Sequence, residues 1–132
     1  MTALNSPKLW LIAWVTWFGV LWYLSSGTPD MEKLPSIPHM DKIIHFGYFF
    51  GGAGLLYVFI HHRFTKHPRF FKISLCTLIG IAVGTLDEFH QSFVPGRYGN
   101  DLGDILADSL GSLMGAIVMA KIIKALLPPV TA

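Results

Sequence analysis

The chain has 132 residues, a mean hydropathy of +0.51 and a charged fraction of only 14%. An ordinary soluble domain carries about 25% charged residues, so the composition argues against a soluble enzyme and is typical of a membrane protein. The formal net charge of +2 comes with no basic stripe for tracking a nucleic-acid backbone. A single cysteine, Cys76, excludes an intrachain disulfide and most thiolate metal sites.

Four apolar runs follow one another along the chain, each with the roughly 20 residues that a helix needs to cross a hydrocarbon core of about 30 Å. They are residues 9–26, 43–60, 70–93 and 102–127. Joined by short loops, they predict an all-α fold in which residues 1–132 form one domain, a bundle of four transmembrane helices. We interpret the first run as an anchor, because it is longer than the apolar core of a cleaved signal peptide (about 7–15 residues) and carries all four tryptophans.

The basic residues predict how the bundle lies in the membrane. Seven Lys and Arg residues fall on one side and three on the other, which predicts that both termini and the central loop are cytoplasmic. The seven are Lys8, Arg63, Lys66, Arg69, Lys72, Lys121 and Lys124, and the three are Lys33, Lys42 and Arg97. All eight Asp and Glu residues fall on the opposite, extracytoplasmic half of this arrangement. Acids contribute little to orientation, so their one-sidedness indicates a function at that side.

Ionisable and polar side chains from three predicted helices gather at this side. They are Asp41, Lys42 and His45 at the start of the second span, Glu88 and Gln91 at the end of the third, Arg97 in the following loop, and Asp104 and Asp108 at the start of the fourth. Glu88 and Asp108 lie about one to two turns inside, where a charge costs a fraction of the roughly 2.5–3.5 kcal/mol it costs at the bilayer centre. We therefore expect them to face the bundle interior or a water-filled cleft.

Simpler explanations exist for single residues near this group. Asp101 is expected to cap the fourth helix, and Asp87 is interpreted equally well as a solvated interfacial acid. Lys42 can extend to the lipid head groups, and His90 can be an interfacial polar residue. None of these explanations accounts for the depth of the carboxylates inside the spans. The alternative that these residues form an ion-pair network whose only role is to stabilise the fold stays open.

Glycines accompany the carboxylates at helical spacing. The third span carries Gly80, Gly84, Glu88 and Gln91 on one stripe, and the fourth carries Asp104, Asp108, Gly111 and Gly115. Small residues four apart let two membrane helices approach closely. If the two stripes face each other, Glu88 meets Asp104 and Asp108 where the helices end. Three glycines of the second span, at positions 51, 52 and 54, are expected to admit a third helix.

Three motifs resemble those of a known family. Residues 41–46 (DKIIHF), 88–97 (EFHQSFVPGR) and 104–111 (DILADSLG) are similar to the patterns D-K-x-x-H-F, E-x-x-Q-x-F-x-P-G-R and D-x-x-A-N-x-x-G of the VanZ-like family of small bacterial membrane proteins. The resemblance covers residues 41–115. It implies signature status for Asp41, Lys42, His45, Glu88, Gln91, Arg97 and Asp104. Asp108 stands where the family usually has Asn, so the site must take an extra carboxylate or keep it protonated.

The resemblance and the predicted topology favour an envelope protein of the bacterial cytoplasmic membrane. The family takes its name from a protein associated with low-level resistance to teicoplanin, a lipid-tailed glycopeptide that acts at the outer leaflet. The predicted function is to bind or remodel such a lipoglycopeptide or a lipid-linked wall precursor. Asp41, Lys42, Gln91 and Arg97 are the predicted head-group contacts, since the planar fork of Arg97 pairs with phosphate or carboxylate. Membrane lipid is an expected partner and nucleic acid is not; the sequence leaves the oligomeric state open.

Two other functions stay open. A membrane enzyme acting on a lipid phosphate or glycolipid would use Glu88, Asp104, Asp108 and His45 as catalytic acids and bases. These residues are also able to hold Mg²⁺ or a similar hard cation, but we favour a cluster without metal or cofactor. A proton or ion pathway is the remaining alternative, since carboxylates inside a membrane often mark one. Against it, the polar residues stop halfway along the third and fourth spans.

Overall fold

The computed structural model of the protein describes residues 6–28 and 38–126. Within them four helices follow one another: α1 (Pro7–Ser25), α2 (Met40–Arg63), α3 (Arg69–Gln91) and α4 (Leu102–Leu126). Each is long and apolar enough to cross a membrane, and the described residues contain no strand. The predicted all-α fold with four helices of membrane-spanning length is confirmed.

The helix boundaries differ from the predicted spans mainly beside the charged residues. α2 begins at Met40 rather than at position 43, so Asp41 and Lys42 lie in its first turn. α3 ends at Gln91 rather than at position 93. Hydropathy marks the apolar part of a span, whereas the helical backbone can extend into its polar flank. Asp30, Glu32 and Lys33, which entered the charge comparison, and position 127 lie outside the described residues.

Glycines of α4 allow its close packing against α2. Gly111 lies against the backbone carbonyl of Phe46, and Gly115 lies against that of Phe50. A side chain at either glycine would collide with the α2 backbone, so small residues four apart are required here. These glycines therefore face α2 and not the glycines of α3, a choice of partner that the spacing alone had left open. The period-four pattern marks a close approach but does not identify the partner helix.

The glycines of α3 do pack on α4, as predicted. Gly80 lies against the side chain of Ser112, and Gly84 lies against the side chain of Asp108. The absence of a side chain at position 84 leaves the space in which the Asp108 carboxylate sits. This contact brings the C-terminal end of α3 alongside the beginning of α4.

Aromatic side chains attach α1 to α2. The Trp17 indole lies against Gly52, stacks on Tyr48 with ring centroids 5.1 Å apart, and meets Phe49 edge to face at 5.4 Å. The Tyr48 hydroxyl donates a hydrogen bond to the Trp17 carbonyl at 3.0 Å. Such aromatic pairs contribute about 0.5–1.5 kcal/mol beyond their buried area. Gly52 thus admits α1, whereas Gly51, which was also expected to admit a helix, has nothing within 4 Å of an added carbon.

The larger apolar core cluster occupies the half of the bundle away from the acidic residues. It consists of Ala53, Leu56, Tyr57, Ile60, Cys76, Ala116 and Ala120. The Cys76 thiol is fully buried and donates to the Ala53 carbonyl at 3.3 Å, as expected for an inert, core-filling cysteine. Many large apolar side chains point outward, among them Ile12, Phe70 and Leu78. An outward apolar surface suits a bundle surrounded by lipid tails.

Candidate functional site

Four helix ends meet at one end of the bundle, which we call the polar end. It consists of the C-terminal ends of α1 and α3, the N-terminal ends of α2 and α4, and the loop 92–101 between α3 and α4. The first turns of α2 and α4 carry Asp41 and Asp104. Helix N-termini have a partial positive charge, so carboxylates are favourable at both positions. Sequence and helix direction together concentrate acids at this end.

Lys42 lies at the centre of three carboxylates. Its Nζ atom is 3.0 Å from an oxygen of each of Asp41, Asp101 and Asp104. Asp41 and Asp101 are largely exposed, whereas the Asp104 side chain is only 10% exposed. The lysine therefore joins α2 to the start of α4. It does not extend to the head groups as a lone charge, which was the simpler explanation.

Below this cluster, His45 of α2 pairs with Asp108 of α4. The ring Nδ1 of His45 is 3.0 Å from Asp108 Oδ1, and the two side chains are 14% and 1% exposed. A carboxylate in this position fixes the orientation of the ring and favours a proton on Nδ1. The second oxygen of the Asp108 carboxylate is buried, and none of the described residues forms a hydrogen bond with it. Asp108 thus faces the bundle interior, as expected from its depth.

Glu88 is fully buried and holds the loop that leads into α4. Its Oε2 atom accepts a hydrogen bond from the backbone N–H of Asp101 at 2.9 Å, and its backbone carbonyl accepts one from Asn100 at 3.2 Å. Gly99 lies against the same carbonyl, where a side chain has no room. The other carboxylate oxygen, Oε1, is buried and has no hydrogen-bond partner in the part of the chain that the structure describes. Glu88 therefore holds the loop through Oε2, while Oε1 stays available to accept a further hydrogen bond or bind a cation.

Asp101 caps α4, as predicted, and also belongs to the Lys42 cluster. Its Oδ1 atom accepts a hydrogen bond from the Gly103 N–H at 2.6 Å, and its backbone carbonyl accepts from Asp104 and Ile105. The hydrogen bond from Lys42 lowers the pKa of Asp101 below its ordinary value. The carboxylate therefore keeps its negative charge well into the acidic range.

Arg97 lies in a neighbouring network that supports the end of α1. Its Nη1 atom donates to Gln91 Oε1 at 3.1 Å, while Nε and Nη2 donate to the carbonyls of Gly27 and Leu24 at 2.9 and 3.0 Å. The amide of Gln91 in turn donates to Asp87 at 2.8 Å. A cation at a helix C-terminus satisfies carbonyls that the helix leaves free. Arg97 therefore has a structural role that the sequence did not reveal.

A turn in the loop 92–101 aims Arg97 toward α1. The N–H of Arg97 donates to the Val94 carbonyl at 3.1 Å, and Gly96 between them has a φ of +79°. Glycine adopts this left-handed conformation without strain, and a preceding proline favours the turn. The V-P-G-R segment is thus a turn whose last residue reaches back to the carbonyl ends of α1.

These contacts involve all three motifs that suggested a family. A family model described as VanZ/LLP1 matches residues 5–124, which include nearly all of the four helices. The chain belongs to the VanZ/LLP1 family. No curated protein and no solved structure matches the chain. The family resemblance inferred from the motifs is confirmed.

In this VanZ/LLP1 protein the predicted site residues, joined by Asp87 and Asp101, form two adjacent groups. The first group, which we call the acidic cluster, consists of Asp41, Lys42, His45, Glu88, Asp101, Asp104 and Asp108. The second, which we call the Arg97 network, consists of Asp87, Gln91 and Arg97. Asp87 and Glu88 are adjacent on α3, but Asp87 belongs to the Arg97 network and Glu88 belongs to the acidic cluster. The catalytic and binding roles assigned from the sequence stay predictions.

Two features of the polar end escaped the sequence analysis. Asp87 is only 2% exposed and bonded to Gln91, so its interpretation as a solvated acid is wrong; the i, i+4 spacing of the two residues was the available signal. His90 stacks on Trp22 with ring centroids 3.9 Å apart, and its Nε2 atom lies 3.0 Å from Ser26 Oγ. No sequence pattern marks that contact, because it joins helices distant in the chain.

Two sets of side chains in the VanZ/LLP1 acidic cluster have donor atoms close enough to share a metal ion. One is His45, Glu88 and Asp104, and the other is Asp41, Asp101 and Asp104; within each set the donor atoms lie within 4.8 Å of one another. The second set already surrounds the Lys42 ammonium. The first set contains Glu88, whose buried Oε1 atom has no hydrogen-bond partner among the residues described, and is therefore the better candidate.

Proposed function

We propose that this protein is an envelope protein of the bacterial cytoplasmic membrane that binds or remodels an amphiphile at the polar end. The candidates are a teicoplanin-type lipoglycopeptide and a lipid-linked wall precursor. The observation that carries the proposal is the acidic cluster itself, in which charged side chains from three segments converge where helices of membrane-spanning length end. Ionisable groups at such a depth are costly, so they usually mark a functional site.

The acidic cluster is accessible at its outer members and buried at its inner ones, which suits a head group that approaches from the polar end. Asp41 and Lys42 are its more accessible members, and Glu88 and Asp108 lie buried beneath them. Carboxylates outnumber the two basic side chains, Lys42 and His45. This excess favours head groups that carry an amine, with the accessible carboxylates as its partners.

The Arg97 network supplies donors for an anionic part of the same head group. A guanidinium has five N–H groups, and the hydrogen bonds of Arg97 to Gln91, Gly27 and Leu24 use one on each nitrogen. One N–H on each terminal nitrogen is left for a phosphate or carboxylate. Because these bonds hold the guanidinium in place, Arg97 would bind an anion with little loss of side-chain freedom.

A binding assay on purified protein tests this function. A fluorescent lipoglycopeptide is titrated into protein in lipid nanodiscs, beside the same glycopeptide without its tail and a polyprenyl-linked wall precursor. We expect binding of one tailed compound, and a loss of affinity of about tenfold or more in Asp41→Asn, since charge-assisted contacts contribute roughly 1.5–3 kcal/mol. Lys66→Ala, at the other end of the bundle, is the control. Failure of both tailed compounds to bind, or equal loss in the control, contradicts the proposal.

The proposal also requires the polar end to face away from the cytoplasm. Tyr98, in the loop 92–101, is 96% exposed, and Thr65, between α2 and α3, is also exposed. Cysteines at these positions in a Cys76→Ser background report the orientation to an impermeant thiol reagent added to whole cells. Labelling at position 98 is expected. Labelling at position 65 instead would reverse the orientation and remove access to outer-leaflet ligands.

The pairing of His45 with Asp108 favours a second candidate, an enzyme that cleaves a lipid phosphate or glycolipid. A carboxylate on Nδ1 orients the ring and leaves Nε2 to accept a proton, as in many general bases. Incubation of the protein with such lipids would then release product, and His45→Gln would abolish the release while leaving the fold intact. Lipids recovered unchanged after incubation with the wild-type protein exclude this candidate.

A further inference from the structure

His45, Glu88 and Asp104 bring three metal-ligand atoms from three helices to one place. One donor atom from each lies within 4.8 Å of the other two. The helices are fixed by glycine contacts that any side chain would disrupt, Gly84 against Asp108 and Gly111 against the Phe46 carbonyl. A small change in helix position would therefore meet steric resistance, and the three donors are held on rigid elements.

The surroundings of His45 resemble the support that metal-binding histidines receive. Such a ring usually donates its other N–H to a carboxylate, which orients it and makes the free nitrogen more basic. In this protein the carboxylate is Asp108, 3.0 Å from Nδ1 and 1% exposed. With its proton on Nδ1, the ring offers the lone pair of Nε2 to a ligand.

Glu88 gives an independent indication of a missing partner. The residue is fully buried, and its Oε1 atom has no hydrogen-bond partner among the described residues. A buried carboxylate oxygen without a partner costs free energy. Lys42, the ammonium of this cluster, is bonded to three other carboxylates. A cation beside Glu88 would satisfy the free oxygen and offset the excess negative charge.

We propose that His45, Glu88 and Asp104 bind a divalent cation, with Asp108 orienting the histidine. One imidazole and two carboxylates suit Zn²⁺ or Mn²⁺ better than Mg²⁺ or Ca²⁺, which prefer oxygen ligands alone. The proposal departs from the metal-free cluster favoured by the sequence, because the sequence showed neither the histidine–carboxylate pair nor the free oxygen. The proposed cation site is a property of the protein without bound amphiphile, so it does not depend on the proposed amphiphile binding.

The Lys42 contacts are compatible with this cation. Asp104 bonds Lys42 through Oδ1, and a carboxylate has a second oxygen for a metal. Asp41 and Asp101 also bond Lys42, so the lysine keeps two carboxylate partners when Asp104 shares its charge with a cation. The His45 and Asp104 side chains are 14% and 10% exposed, so the site borders the surface and an ion can enter from the polar end.

Direct metal binding tests the proposal. Wild-type protein is stripped with chelator in detergent, titrated with Zn²⁺, Mn²⁺ and Mg²⁺ by calorimetry, and its bound metal is counted by mass spectrometry. We expect about one Zn²⁺ or Mn²⁺ per chain, weaker binding of Mg²⁺, and a higher melting temperature with metal. Glu88→Gln and Asp104→Asn are expected to lose this binding. Asp108→Ala, which removes the partner of the histidine together with the packing of the carboxylate against Gly84, is expected to weaken affinity about 10–100-fold.

Asp87→Asn is the matched control, because Asp87 is a buried carboxylate adjacent to Glu88 that bonds to Gln91. It is expected to bind metal as the wild type does. Melting temperatures without metal show whether each variant is folded, and the wild-type titration stands even where a variant unfolds. Absence of metal-dependent stabilisation in the wild type, or equal loss of metal in Asp87→Asn and Glu88→Gln, overturns the proposal. Amphiphile binding without metal binding would overturn this inference alone.

Discussion

The apolar half and the polar end of the bundle are held together by different interactions. Around Cys76 and Ala116 the helices pack through small side chains, and the thiol has an acceptor in the Ala53 carbonyl. At the polar end, Glu88 and Asp108 each keep a buried oxygen that has no hydrogen-bond partner within residues 6–28 and 38–126. A bundle selected for stability alone would not retain such groups, since they destabilise the folded state. This contrast between the two regions supports the proposal that the polar end has a function beyond folding.

Substitution of the packing glycines is the largest expected perturbation of stability. Gly111→Ala places a methyl group against the Phe46 carbonyl, and such overpacking costs about 1–3 kcal/mol. Gly51→Ala, on the helix that Gly111 contacts, is the control: nothing lies within 4 Å of the added carbon, and a helix gains up to about 1 kcal/mol from alanine. Unfolding in detergent measures both. Equal stabilities of the two variants would contradict the close packing of α2 and α4.

Replacement of Arg97 by lysine is expected to have an intermediate effect. Lysine cannot reach Leu24, Gly27 and Gln91 at once, so α1 loses its attachment at the polar end, at a cost of about 1–2 kcal/mol. Because all four tryptophans lie in α1, tryptophan fluorescence reports this loss directly. Arg69→Lys, at the opposite end, should leave the unfolding curve unchanged. An unchanged curve for Arg97→Lys would remove the structural role assigned to the guanidinium.

The smallest effect is expected from acid acting on Asp101. Its pKa is lowered by Lys42 from the ordinary value of 3.8, so its stabilising contact is complete above about pH 4 and is lost as the pH falls through the lowered pKa. Asp101→Asn retains a helix cap but not the charge. The melting temperature of the wild type should exceed that of the variant at pH 7, and the difference should shrink below about pH 4. A difference independent of pH contradicts the charge contribution.

Much of this architecture follows from local sequence. Hydropathy predicted the four helices, and the spacing of Asp41, Glu88 and Asp104 relative to the apolar runs predicted that they meet at one end. Helix partners could not be predicted, because Gly111 and Gly115 have the same spacing whichever helix they contact. The place of Arg97 depends on a positive φ at Gly96 and on carbonyls of α1 far away in the chain. Contacts of that kind are set by tertiary structure alone.

The most direct test of whether the polar end is a functional site combines two measurements on the Glu88→Gln variant, its free energy of unfolding and its binding of amphiphile. The substitution preserves shape and leaves the amide oxygen able to accept the Asp101 N–H that Glu88 Oε2 accepts in the wild type, so we expect a free energy of unfolding within about 1 kcal/mol of the wild type. Binding of the tailed amphiphile, measured on the same sample, is expected to be lost. Stability retained with binding lost supports a functional site. Stability and binding that fall in proportion, or a stable variant that binds as the wild type does, would show that the buried carboxylate serves the fold alone.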